Sequence, residues 1–227
     1  MATKIRGGVI MLAIDHVVLD YGLGNANSIA SCLRSIGCHV ITSRNPEQLR
    51  LAKVIYIPGV GSFQEAVERL QKWDLISTLN EIHRQQSTLF VGMCLGMQLF
   101  ADASQENGLT KGLGWIPGTV KPLSDTVDDR RLPHIGWNQP LIQDSSVDFK
   151  ADYEPVYFDH GFYFDTEPEN VLAYCEYGAC FPAIVAKGRV VGFQFHPEKS
   201  QMSGKKLLAA VLNHFSIPRN PVWITEE

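Results

Sequence analysis

The chain has no apolar run approaching the ~18 residues that a membrane-crossing helix requires, no C-x-x-C pair, no internal repeat and no excess of basic residues. The first absence argues against a helical membrane span. The five cysteines, Cys32, Cys38, Cys94, Cys175 and Cys180, are odd in number and scattered over a long chain. That pattern argues against a disulfide framework or a zinc site as the organising device. A formal net charge of −4 argues against a nucleic-acid binder, which usually shows a basic balance. Gly22-Leu23-Gly24 follows a strand-like run, but Asn27 stands where a dinucleotide fingerprint needs its third glycine. No cofactor and no metal are therefore expected. No secretory leader is expected either. Lys4 and Arg6 precede an apolar run, Val9 to Ile14, but Asp15 and His16 end it early and no small-residue cleavage site follows. The expectation is a cytoplasmic protein without membrane contact.

What remains is an ordinary globular composition, 45% hydrophobic and 19% charged over 227 residues, enough for one large α/β domain or two small ones. Strand-like runs at Val17–Leu19, His39–Thr42, Val54–Ile57 and Leu89–Val91 alternate with helical periodicity. Ile29, Cys32, Leu33 and Ile36 repeat at i, i+3, i+4, i+7 and are closed by Gly37. Further helices are expected over Glu65–Leu70, Leu75–Gln85 and Gly204–Phe215. This alternation predicts an α/β fold with a mostly parallel, doubly wound sheet flanked by helices. Shorter runs at Gly118–Leu123, Val156–Phe158, Val171–Tyr174, Ile184–Ala186 and Val190–Phe195 predict antiparallel strands added in the second half, with a hairpin at Lys187-Gly188. Ser124–Arg131 reads as a charged, exposed loop. Residues 1–13 read as an extension, 14–217 as the domain and 218–227 as a tail, and Met11 is a possible second start.

The chemistry centres on Gly92-Met93-Cys94-Leu95-Gly96. It directly follows an apolar strand and has the G-x-nucleophile-x-G spacing of a nucleophile elbow, with cysteine as nucleophile. The glycines make room for a tight turn, and a following helix would place Cys94 at its N-terminus, where the thiolate is favoured. A thiol nucleophile needs a base. His196 leaves the run Val190–Phe195, and Glu198 follows two residues on, spaced to accept from one ring nitrogen while the other faces the thiol. His134 and His160, both beside strand-like runs, are competitors for the base. An acyl-transfer site also needs oxyanion donors. The Leu95 N–H is one candidate, and the glycine-rich turn Pro58-Gly59-Val60-Gly61 can supply the second. Asp20–Asn25, Pro58–Gly61 and Cys94 all fall at carboxyl ends of expected parallel strands, so they should share one rim.

Through Pro58–Gly61, Gly92–Gln98 and Phe195–Glu198 the chain resembles the class I, triad-type glutamine amidotransferases. Asp20–Asn25, Pro133–Asn138 and Phe193–Ser200 make it most similar, within them, to the glutaminase subunits of imidazole glycerol phosphate synthases. The likeness runs from about Val17 to Phe215. It implies a glutaminase in which Cys94 forms a thioester with glutamine, His196 protonates departing ammonia and Glu198 orients His196. The Leu95 and Val60 N–H groups would hold the oxyanion. Gln98, Glu106 and the Gly59 loop would surround the substrate, with backbone near Gly161 and Phe162 holding its α-carboxylate. Asn25, Trp137, Asn138 and Lys199 would face a synthase partner. That partner would be a cyclase subunit, forming a heterodimer in histidine biosynthesis.

The family usually shows Val-His-Ser-Tyr where this chain has Asp159-His160-Gly161-Phe162. The extension has no family counterpart. These departures keep open a paralogous glutaminase that feeds a sugar-modifying synthase of surface-polysaccharide pathways. A stand-alone thiol amidohydrolase would share the same elbow and triad, and a pseudo-enzyme binding subunit is disfavoured by intact Cys94, His196 and Glu198.

Overall fold

The computed structural model describes residues 14–125, 132–143 and 154–219. In chain order the first half runs β1 (His16–Leu19), α1 (Ala26–Ser35), β2 (Val40–Ser43), α2 (Pro46–Leu51), β3 (Val54–Ile57), α3 (Phe63–Lys72), α4 (Leu75–Arg84), β4 (Leu89–Met93) and α5 (Leu95–Gln98). The second half adds β5 (Ala103–Ser104), β6 (Thr110–Lys111), β7 (Thr119–Pro122), β8 (His134–Asn138), β9 (Leu141–Ile142), β10 (Val156–His160), β11 (Phe162–Asp165), β12 (Val171–Glu176), β13 (Cys180–Lys187), β14 (Val190–Phe193) and α6 (Gln201–His214). The main sheet has the order β2-β1-β3-β4-β14-β13-β12-β9. Its first five strands are parallel, and β13, β12 and β9 extend it antiparallel. The mostly parallel sheet with added antiparallel strands thus matches the expectation. Two smaller sheets, β10-β8 and β11-β7-β5-β6, stand beside it.

The sheet is covered on both faces, which explains why its strands read as continuous apolar runs. Side chains alternate across it with period two. Val18, Tyr56, Val91 and Val191 pack with Ile29 and Leu33 of α1 and with Leu207 and Val211 of α6. Val17, Ile55, Phe90 and Val190 pack on the other face with Phe63 and Leu70 of α3 and with Leu79 and Ile82 of α4. Local signals set the helix ends. Ser62 accepts from the Glu65 amide at 3.3 Å, and Asn45 accepts from the Glu47 amide at 2.9 Å ahead of Pro46. Gly37 follows the α1 cap at φ 88°, where only a residue without Cβ is unstrained.

Two local expectations change. The helix after Cys94 is a single turn, Leu95–Gln98, and the Leu99, Phe100 and Ala101 carbonyls that follow it accept from the amides of Leu113, Trp115 and Gly114. β5, β6, β8, β9 and β11 arise where no strand was read. Most of the Ser124–Arg131 loop, the 1–13 extension and most of the 218–227 tail lie outside the described residues. The first residue of that tail is anchored: its carbonyl, on Pro218, lies 3.1 Å from His16 Nε2, and His16 Nδ1 lies 2.9 Å from the Tyr56 hydroxyl.

Candidate active site

The parallel strands bring their carboxyl ends to one rim. The Tyr21 hydroxyl, just after β1, donates to the Pro58 carbonyl after β3 at 2.6 Å. A Cβ on Gly24 would lie 2.9 Å from Pro58 Cβ. The turn after β3 in turn presses on the elbow after β4. A Cβ on Gly59 would collide with the Gly96 amide and lie 2.6 Å from Leu95 Cβ, and one on Gly96 would collide with the Ile57 carbonyl. The two glycines therefore serve close approach, whereas Gly61, at φ 97°, supplies the unusual backbone of the turn. Cys94 itself sits at φ 52°, ψ −113°, a sparsely populated conformation for a residue with a side chain and the kind of strain a nucleophile elbow stores. Its amide donates to the Phe193 carbonyl of β14 at 2.7 Å, tying the elbow to the strand that leads to His196.

His196 follows β14 after Gln194 and Phe195. Its amide donates to the Tyr157 carbonyl at 2.9 Å, and its own carbonyl accepts from the Ser200 hydroxyl at 2.6 Å. The same hydroxyl accepts from the Tyr157 amide at 2.9 Å, so Ser200 stitches the histidine turn to β10. Pro197 fixes the turn, and Gly204 lets α6 start directly against the Pro197 carbonyl. His196 Nδ1 lies 2.9 Å from Glu198 Oε1, with both side chains buried. Burial alone would push the imidazolium down. Hydrogen bonds to the Cys94 thiol and the Glu198 carboxylate, with their charges, outweigh it and raise His196 to about 10. The second Glu198 oxygen is buried and makes no hydrogen bond, so the carboxylate is committed to the imidazole. Burial pushes Cys32 up to about 11 and Cys38 and Cys175 up to about 12, which leaves them inert thiols at neutral pH. With α5 only one turn long, the charged group beside Cys94 is His196 rather than a helix N-terminus.

Cys94 and His196 open into a cavity of about 270 Å³, also lined by Val60, Leu95, Gln98, Glu106, Gly161 and Phe162. Those six are candidate residues from the sequence, and the fold brings them together. Gly59 lies behind them, packed under the elbow. Glu106 Oε2 accepts from the Phe63 amide at 2.6 Å, which fixes it at the start of α3. Gln98 donates from Nε2 to the Phe162 carbonyl at 2.9 Å and to Gln194 Oε1 at 3.1 Å. Gln194 was not singled out in the sequence. It is fully buried, and its Nε2 lies 3.9 Å from Cys94 Sγ. Its one signal was a polar residue inside the run Val190–Phe195. His160 lines the same cavity but is held down to about 3 by burial, so it stays neutral and, bonded to backbone and His134, cannot serve as base for Cys94. Among the described residues no His, Cys, Asp and Glu side chains are grouped to hold a metal ion.

The expected partner-facing residues separate. Trp137 is 47% exposed beside Ile135 at 58%. Lys199 Nζ lies 3.8 Å from Asp159 Oδ2 at the cavity rim and 5.3 Å from the centre of the Tyr157 ring. Asn138 turns its side chain inward to His134. Asn25 lines a different recess, with Asp20, Gly22, Leu23 and Gly24.

A buried Cys–His–Glu set on an elbow, at the rim of a doubly wound sheet, is a thiol acyl-transfer arrangement. The family model for glutamine amidotransferase class-I matches residues 17–214, and the chain belongs to that family. Within it, the chain is 38% identical over 206 residues to imidazole glycerol phosphate synthase subunit HisH 2 of Vibrio vulnificus, covering 89% of this chain and 96% of that protein. It is 42% identical over 191 residues to subunit HisH of Exiguobacterium sibiricum, covering 84% and 91%. The Archaeoglobus fulgidus HisH subunit is 36% identical over 198 residues, covering 86% and 96%. Among solved structures, a crystal structure of a glutamine amidotransferase superposes with a TM-score of 0.69 at 19% identity, covering 88% of this chain and 99% of that one. That likeness speaks to the fold alone.

Proposed function

We propose that the chain is the glutaminase subunit of an imidazole glycerol phosphate synthase, hydrolysing glutamine to glutamate and ammonia. The observation that carries this reading is the buried His196, bonded to Glu198 at 2.9 Å and lining one cavity with Cys94, in a chain of the class I family. With the proton already on His196, Cys94 attacks the side-chain amide carbon of glutamine as the thiolate. Backbone N–H groups of Leu95 and Val60 take the charge that develops on the carbonyl oxygen. The tetrahedral intermediate collapses as His196 returns the proton to the leaving nitrogen. Ammonia departs and a γ-glutamyl thioester remains on Cys94. Water, deprotonated by His196, then releases glutamate. Glu198 keeps the ring oriented and stabilises the imidazolium in both halves. Gln98, Glu106 and the Gly161–Phe162 backbone surround the substrate. A cyclase subunit takes the ammonia, docking on the face that carries Trp137 and Lys199.

The test is glutamine hydrolysis with and without a cyclase subunit. Cys94→Ala should keep the fold by circular dichroism and lower kcat by at least a thousandfold, the scale expected when a covalent nucleophile is removed. The wild-type rate should rise when the cyclase is added. Retained activity in Cys94→Ala would place the nucleophile elsewhere.

A further inference from the structure

Behind the cavity runs a chain of hydrogen bonds that the reaction scheme does not use. His160 Nδ1 lies 2.8 Å from the Phe162 carbonyl oxygen, and His160 Nε2 lies 3.0 Å from His134 Nδ1. His134 Nε2 lies 2.8 Å from Asn138 Oδ1. On the other side of the same carbonyl, Gln98 donates at 2.9 Å, then reaches Gln194, whose Nε2 approaches Cys94 Sγ. Asn138, at the end of β8, is thus connected side chain by side chain to the nucleophile.

The Phe162 carbonyl can only accept, and this sets the direction of both branches. His160 must carry its proton on Nδ1. A ring that is neutral at this burial then has a lone pair on Nε2, so His134 must donate from Nδ1. Neutral His134 in turn needs a donor at Nε2, which the Asn138 amide supplies by presenting its NH2, an exchange of O and N that leaves the heavy atoms in place. On the other branch both Gln98 N–H bonds are used, one on Phe162 and one on Gln194 Oε1. Gln194 is therefore oriented with its own NH2 toward sulfur. Burial holds both His134 and His160 below their ordinary value, which agrees with two neutral rings.

His134 is an expensive residue to place here. It is fully buried, stacked 3.9 Å from the Tyr177 ring and 4.8 Å from the Phe158 ring, and edge-on to Phe181. An apolar side chain would suit those neighbours better, were its nitrogens not needed. We propose that His134 is a positioning residue: through His160 it holds the Phe162 carbonyl in place, and with it the Gln98 and Gln194 amides, which leave a donor at the Cys94 sulfur. The Gly161–Phe162 edge of the cavity is held by the same bonds. This rests on the glutaminase reading only for its substrate, since the bonding chain ends on the thiol itself.

The test compares His134→Leu with His134→Asn, whose amide can restore a donor at the Nδ1 position. Three quantities are read: kcat and KM for glutamine, the rate of Cys94 alkylation by iodoacetamide mapped by mass spectrometry, and the melting temperature. His134→Leu should raise KM about tenfold, the scale of one buried hydrogen bond left unmade, and slow Cys94 alkylation about threefold or more. His134→Asn should bring both back to within about threefold of wild type. Equal impairment in the two variants, or an unimpaired His134→Leu, overturns the proposal, whatever the melting temperatures. If the wild-type chain does not hydrolyse glutamine even with a cyclase subunit present, the glutaminase reading falls, and the alkylation rates still decide the role of His134.

Discussion

Gly96 and Gly59 illustrate how much of the site rests on atoms that are absent. Ile57, Gly59, Leu95 and Gly96 are backbone against backbone, so a methyl group at Gly96 has nowhere to go but into the Ile57 carbonyl. No flexible side chain can move aside. Gly96→Ala should therefore destabilise the chain by about 1–3 kcal/mol, the range for forced overpacking. The larger effect should be on rate. The displaced group is the peptide next to Leu95, whose N–H is the proposed oxyanion donor, and a misplacement of about 1 Å there costs on the order of a hundredfold. Urea denaturation and glutaminase assays on the same preparation check both numbers. A variant as active as wild type would mean that the elbow relaxes and that Leu95 is not a donor. At this scale the sequence was informative. Cys94, His196 and Glu198 were legible because each sits at a fixed distance from a strand end or turn residue. Gln194 was not, because a single polar residue in an apolar run does not reveal which neighbour it meets.

β8 shows the limit of reading elements by apolar patterning. His134 and Asn138 point inward and Ile135 and Trp137 outward, the reverse of the usual strand, in which apolar positions face the core. Pairing with β10 at His134↔His160 and Trp137↔Tyr157 makes it a strand, and that partner lies eighteen to twenty-six residues away. Four-residue α5 and two-residue β5, β6 and β9 are too short to show any period. The long elements were legible for the opposite reason: β1, β3 and β4 are buried on both faces, and α3 and α4 each bury one stripe. The inverted pattern of β8 also carries a prediction. Ile135 and Trp137 contribute little to the core of the isolated chain, so Ile135→Glu should change its stability by no more than about 0.5 kcal/mol. If β8 forms the face that meets the cyclase, the same substitution should cut stimulation by that subunit severalfold or more, through a desolvated charge in a contact region. Titrating cyclase into wild type and variant while following glutamate release checks this. Unchanged stimulation would move the docking surface away from β8.

Over the whole molecule the buried histidines oppose one another in pH dependence. His16, His134 and His160 are all held below their ordinary value by burial. In the unfolded chain they take up protons below about pH 6.5, while in the fold they resist. The unfolded state then binds more protons, and stability falls as pH falls, by on the order of 1 kcal/mol per pH unit for each histidine that stays neutral. His196 works the other way. Its folded value, raised to about 10, means that its contribution is complete below about pH 6.5 and drains away as pH rises toward 10. The histidines together therefore place the stability maximum near pH 6.5, with an acid limb set by β1, β8 and β10 and an alkaline limb set by the catalytic pair. Urea midpoints measured at pH 5, 6.5 and 8.5 should show both limbs. In His196→Asn the alkaline limb should flatten while the acid limb persists, because the substituted residue takes no part below pH 6.5. If the alkaline decline is the same in the variant and in wild type, His196 is not held charged in the fold, and the coupling between Cys94, His196 and Glu198 is weaker than their geometry indicates.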